Sequence, residues 1–141
     1  MNIKNEIINA IGIINKLPAV YNHYHIGSSV YIIEYAKDVD FIIYFKHYSL
    51  REYTDLLIST FDFDSCSNYN IPSGCIYEWN GLRKGNINFI ITTSEHIYNS
   101  FVTATEVCKF LHLSSKEERI AIHEIIRDNK KADDITSLKA D

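Results

Sequence analysis

Hydrophobic and polar positions follow two periods along this chain, and the switches between them lay out its elements. Ile3, Ile7, Ile8, Ile11 and Ile14 recur every three to four residues, the spacing that gathers side chains on one face of a helix. Leu17-Pro18 ends the run, because proline cannot continue a helix interior. Ala19 to Ile26 reads as a strand that leads into Gly27-Ser28 and a short helix, and a second strand follows that carries Asp38 and Asp40. Strand side chains alternate between faces, so Val39, Phe41, Ile43 and Phe45 share one face and Asp38, Asp40, Ile42 and Tyr44 the other. Ser49-Leu50-Arg51-Glu52 has the form of a capping box, and Leu50, Tyr53, Leu56 and Leu57 continue from it at helical spacing.

From Phe61 to Pro72 the pattern breaks into a polar loop, in which Asp62 and Asp64 read as solvated carboxylates. Two apolar segments, Cys75 to Trp79 and Leu82 to Thr92, flank Asn80-Gly81, a strong sequence signal for a hairpin turn. In the second of them Asn86, Asn88 and Ile90 fall on one face and Ile87, Phe89 and Ile91 on the other. Thr92-Thr93-Ser94-Glu95 and Ser114-Ser115-Lys116-Glu117 are further capping boxes. The first opens a helix with Ile97, Phe101, Ala104, Val107, Cys108 and Leu111 on one side, the second a helix carrying Ile120, Ile122, Ile125 and Ile126. His112-Leu113 joins them into a helical hairpin, which has the outline of a DNA-reading helix-turn-helix without its basic face. The pattern specifies an α/β (α+β) fold: a short mixed sheet with a β-hairpin, backed by helices and a C-terminal helical pair. One domain spans 1–129, and 130–141 is a polar tail.

Composition narrows the classes. A net charge of −4 argues against broad, sequence-independent nucleic-acid binding, which needs clustered Lys and Arg. Cys66, Cys75 and Cys108 have neither even number nor Cys-x-x-Cys spacing, so they fit a reducing compartment rather than a disulfide framework or a zinc site. No apolar run reaches the roughly 18 residues that span a bilayer, and the expected location is the cytoplasm, with no membrane partner.

The candidate chemistry centres on two acids. Asp38 and Asp40 sit on one strand face with Cα atoms roughly 6.5–7 Å apart, close enough to share a divalent cation. Gly27-Ser28, at a strand-to-helix junction, offers a phosphate backbone N–H groups and a hydroxyl. Arg83 and Lys84 either contact a substrate phosphate or guard a strand edge. His23 and His25 share a strand face, as metal ligands or, more commonly, as packed rings.

Gly27-Ser28 followed by Lys37-Asp38-Val39-Asp40-Phe41-Ile42-Ile43 resembles the Gly-Ser and Asp-x-Asp signature of the DNA polymerase β-like nucleotidyltransferase superfamily. Leu82 to Thr92, Ala104 to Lys109 and Lys116 to Ile120 add a narrower resemblance to small nucleotidyltransferase-like proteins of tailed bacteriophages. The resemblance runs from about Val20 to Arg127. It implies a minimal nucleotidyltransferase-like fold that takes an NTP with Mg²⁺ (or Mn²⁺) and transfers a nucleoside monophosphate to a hydroxyl on a protein, nucleic acid or small molecule, in the cytoplasm of an infected host cell. Carried over by position, Gly27, Ser28 and Ser29 hold phosphate and Asp38 and Asp40 bind metal, while the place of the third carboxylate falls on Asn88. Asn brings no negative charge and is a poor proton acceptor. Glu78, across the hairpin, is the residue to restore that charge, and Arg83 or Lys46 the cation to replace the basic residue that usually follows Gly-Ser. The alternative implied by Asn88 is a catalytically degenerate protein on the same scaffold that binds a nucleotide or a host protein.

Overall fold

A computed structural model describes residues 2–31, 36–65, 79–113 and 115–128. Helix α1 (Ile3–Ile14) begins where Asn2 Oδ1 accepts the Asn5 N–H and buries Ile3, Ala10 and Ile14. Strand β1 (Val20–Ile26) follows, then the short α2 (Ser28–Tyr31) and strand β2 (Val39–Phe45). Helix α3 (Leu50–Thr60) opens on a complete capping box, with Ser49 and Glu52 each holding the other's backbone N–H. The two-residue β3 (Asp64–Ser65) precedes β4 (Trp79–Lys84) and β5 (Ile87–Thr92), and the chain closes with α4 (Glu95–Phe110) and α5 (Lys116–Asp128).

The five strands form one mixed sheet in the order β1-β2-β5-β4-β3, with β2 and β5 parallel and the other neighbours antiparallel. Alternation along β2 sorts its residues between two cores. Val39, Phe41, Ile43 and Phe45 pack with Phe89, Ile91 and the apolar sides of α1 and α3, whereas Ile42 packs on the opposite face with Ile97 and Tyr98 of α4. Tyr53 of α3 stacks on Phe45 with ring centroids 3.9 Å apart, and its buried hydroxyl donates to the Pro18 carbonyl at 2.7 Å. The fold class expected from the sequence is therefore the one observed.

Local details differ. The hairpin turns at Gly85-Asn86, not at Asn80-Gly81: Lys84 pairs with Ile87, and Gly85 takes φ +61° as the first residue of a two-residue loop. Moving the turn lets Leu82 pair with Phe89 so that both are buried, while Asn80, inside the strand, is buried and donates to Thr54 Oγ1 at 2.9 Å. Burial of Leu82 outweighs the local preference of Asn-Gly for a turn. A Cβ on Gly85 would meet nothing within 4 Å, so Gly85→Ala should cost only the backbone term, roughly 1–2 kcal/mol, read from urea unfolding. Asp64 is not in a loop but in β3, paired with Arg83, while Asp62 lies just before it at φ +60°. The cap of α4 is Ser94, which accepts the Ile97 N–H, and that of α5 is Ser115, which accepts the Glu118 N–H. Both lie downstream of the Thr92 and Ser114 starts read from the sequence, and Ser114 lies outside the described residues. Among the described residues, no helix is long and apolar enough to cross a membrane.

Candidate active site

Strand register assembles the site. Asp40 pairs with Ile26 on one side and Asn88 on the other, and Asn88 pairs in turn with Arg83, so a row of four residues crosses β1, β2, β5 and β4. Asp38 lies just before β2 rather than within it, and still borders the same cleft as Asp40. That cleft, of about 660 Å³, lies between the Gly27-Ser28 elbow and the helical pair, and Gly27, Ser28, Asp38, Asp40 and Asn88 line its polar end.

Gly27 adopts φ +80°, a conformation that glycine takes at little cost. Its Cα faces Asp40 so closely that a Cβ there would overlap the Asp40 carboxylate, standing 2.9 Å from Cγ. The elbow and the acid therefore touch. Burial pushes the Asp40 carboxyl above its usual range; the Asn88 amide, which donates to Oδ1 at 2.9 Å, opposes the rise, Asp38 adds to it, and Arg83 and Lys116 oppose it. Arg83 reaches Asp38 Oδ1 at 3.4 Å, in a half-exposed ion pair of small energetic weight.

The chain is similar in structure to the conserved protein GrpB from Enterococcus faecalis, with 16% sequence identity, 90% of each chain covered and a TM-score of 0.50. The likeness is one of fold. The sequence matches no protein-family model and no curated protein. The mixed α/β arrangement is thus one shared with a solved structure.

Several expected site residues lie elsewhere. Ser29 is buried and its hydroxyl is 2.6 Å from His25 Nε2, so it braces the elbow from beneath instead of lining the cleft. The His25 ring stacks on Phe41 and His23 tilts against the same ring, the packing alternative for that pair. Lys84, one residue from Arg83 in the strand, points to the other face of the sheet. There its ammonium donates to the Phe61 carbonyl at 3.0 Å and lies over the Phe63 ring. Only one member of Arg83-Lys84 can face the acids, because adjacent strand residues face opposite ways. Lys46, at the far end of β2, lies over the Tyr21 ring at 3.8 Å. Glu78, Cys66 and Cys75 lie outside the described residues, and Cys108 is a buried free thiol.

What the sequence reading missed is the wall opposite the acids. Lys116, Arg119, His123 and Arg127 all line the cleft from α5. Their spacing of three, four and four residues places them on one helical stripe, a signal present in the sequence but overlaid there by the isoleucines of the same helix. Ile120 and Ile125 are in fact exposed, and Arg119 is the buried residue of this helix. The Arg119 guanidinium lies over the Tyr31 ring at 4.7 Å and donates to Ser28 Oγ at 3.4 Å, tying α5 to the elbow. Lys116, Arg119 and Arg127 thus bring positive charge to the cleft, beside Glu124 of the same helix.

Among the described residues, no three His, Cys, Asp or Glu side chains converge as a metal cage. Two carboxylates lining one cleft nevertheless suit Mg²⁺, which is commonly held by one or two carboxylates with substrate phosphates and water completing its shell. The donor set fits one ion carried in with a polyphosphate, and the Asn88 amide, a donor toward Asp40, offers no charge for a second.

Proposed function

We propose that this chain is a nucleotidyltransferase that transfers a nucleoside monophosphate from an NTP to a hydroxyl acceptor, of the small type that tailed bacteriophages encode, acting in the host cytoplasm. The observation that supports it most is the contact between the Gly27 elbow and Asp40 in a cleft whose opposite wall carries Lys116, Arg119 and Arg127. Asp38 and Asp40 would hold Mg²⁺ or Mn²⁺, which when bound neutralises phosphate charge and eases departure of pyrophosphate. Lys116 and Arg119 face the phosphates as fixed cations, and the Ser28 hydroxyl, already an acceptor for Arg119, positions that guanidinium. Gly27 keeps the space against Asp40 free of a side chain. In the transfer step the acceptor oxygen bonds to the α-phosphorus, the bond to the bridging oxygen breaks and pyrophosphate leaves. The acceptor's hydroxyl proton is released to solvent as its oxygen bonds to phosphorus.

Incubation with radiolabelled NTP, Mg²⁺ and protein, RNA or small-molecule hydroxyl acceptors tests the reading. Label should move to one acceptor class and fall by at least about 100-fold in Asp40→Asn. Tight Mg²⁺-dependent NTP binding without transfer to any acceptor favours a second reading, a catalytically degenerate protein that holds a nucleotide or a host protein. The amide of Asn88 standing where a third acid would serve is the observation behind it.

A further inference from the structure

Gly27 gives the elbow its turn and also its freedom, because a glycine backbone is less restricted than any other. The helix that follows does not supply the missing rigidity. Helix α2 is four residues long, and a single helical turn has little stability of its own. Contacts beyond the local backbone must therefore fix where Gly27 sits against Asp40 and where the Ser28 hydroxyl meets Arg119.

One hydrogen bond closes across the turn itself. His25, the last but one residue of β1, and Ser29, the second residue of α2, stand two positions either side of Gly27, and His25 Nε2 lies 2.6 Å from Ser29 Oγ. The bonds from Arg119 to Ser28 at 3.4 Å and from Tyr31 to the Thr105 carbonyl at 3.3 Å are longer, and both run outward to the helical pair. Ser29 is 1% exposed, so its hydroxyl loses its partner outright if the bond is removed. Phe41 of β2 holds the imidazole from behind, the two rings stacked 5.1 Å apart at 23°. Burial, and after it Lys109 of α4, keeps His25 below its ordinary titration range, so at neutral pH the ring is uncharged and able either to donate or to accept.

We infer that His25 is a positioning residue: through Ser29 it clamps the two arms of the Gly27 elbow in the geometry that meets Asp40 and Arg119. Its consequence for binding rests on the proposed nucleotide site, whereas the clamp belongs to the chain alone.

Amide hydrogen exchange and calorimetric titration of Mg²⁺-NTP into the full chain, with three variants, test it. His25→Phe keeps a ring against Phe41 and removes the bond; His25→Gln removes the ring and keeps an amide that can donate or accept. Ser29→Ala removes the bond from its other end, and serves alone if thermal melting finds His25→Phe unfolded. The Val30 N–H, which donates to the Gly27 carbonyl at 3.1 Å, reports opening of the elbow. Its exchange should quicken roughly 10-fold in His25→Phe and in Ser29→Ala, as loss of one hydrogen bond implies, and NTP should bind roughly 10-fold more weakly to both. His25→Gln should lie nearer the parent in each measurement. Combining His25→Phe with Ser29→Ala should add little to either, because both remove the same bond. Val30 exchange unchanged in Ser29→Ala, or His25→Gln as impaired as His25→Phe, overturns the clamp and leaves the nucleotide site standing. A parent chain that binds no NTP overturns the nucleotide site, while Val30 exchange still decides the clamp.

Discussion

Replacing Gly27 by alanine is expected to be among the most damaging single changes in this protein, to folding and to the site alike. Two costs combine. At φ +80° a Cβ-bearing residue is strained by about 1–2 kcal/mol, and the new methyl would collide with Asp40. Rotating the carboxylate aside does not relieve the clash, because Asp40 Cβ itself would lie only 3.0 Å from the added atom. Either the elbow or the start of β2 must move, a strain of about 1–3 kcal/mol. The sum is roughly 2–5 kcal/mol of stability. Gly85→Ala, with a similar φ and open space, carries the backbone cost alone, so comparing the two in urea separates strain from collision. Any Gly27→Ala protein that folds should transfer nucleotide at least about 100-fold more slowly, since a roughly 1 Å displacement of reacting groups costs rate of that order.

Asp40→Asn should move stability and function in opposite directions. Burial raises the folded-state pKa of Asp40 above its unfolded value, so the folded chain holds the proton more tightly and the ionised carboxylate opposes folding at neutral pH. This contribution to stability is fully present below the unfolded pKa, about 4, and is lost as pH rises through the folded value. Asparagine keeps the volume and can still accept the Asn88 N–H, but carries no charge. Melting curves should therefore show Asp40→Asn above the parent protein at pH 7, with the gap closing below about pH 4. Metal-dependent NTP binding should be lost in the same variant. A destabilised variant at pH 7 would mean that attraction to Arg83 and Lys116 outweighs the burial of the charge.

Much of the fold was legible because it depends on period. The isoleucine spacing of α1, the alternation of β2 and β5 and the Ser49-Glu52 box each specify a local geometry that the rest of the chain does not oppose. Asn80-Gly81 misled because its turn preference is local, whereas the actual register is decided by Leu82 finding Phe89 across the pair. The same shift of register matters for the site, because it brings Arg83 opposite Asn88 and so beside Asp38. Asp38, Asp40, Gly27 and Ser28 could be picked from the sequence as a short motif on consecutive elements. The partners on α5 could not be placed in that way, since some ninety residues separate Arg119 from Ser28. Their stripe is visible in the sequence, but only packing decides whether it turns to solvent or to the acids.

The proposed function depends on the elbow, the two acids and the basic residues of α5 gripping one magnesium-bearing nucleotide. Its most direct test is calorimetric titration of NTP into the parent protein with Mg²⁺ and then with EDTA, repeated with Asp40→Asn. The expected result is saturable binding at one site that needs the metal and disappears in the variant. Binding of equal strength with and without Mg²⁺, or binding unaffected by Asp40→Asn, would contradict it.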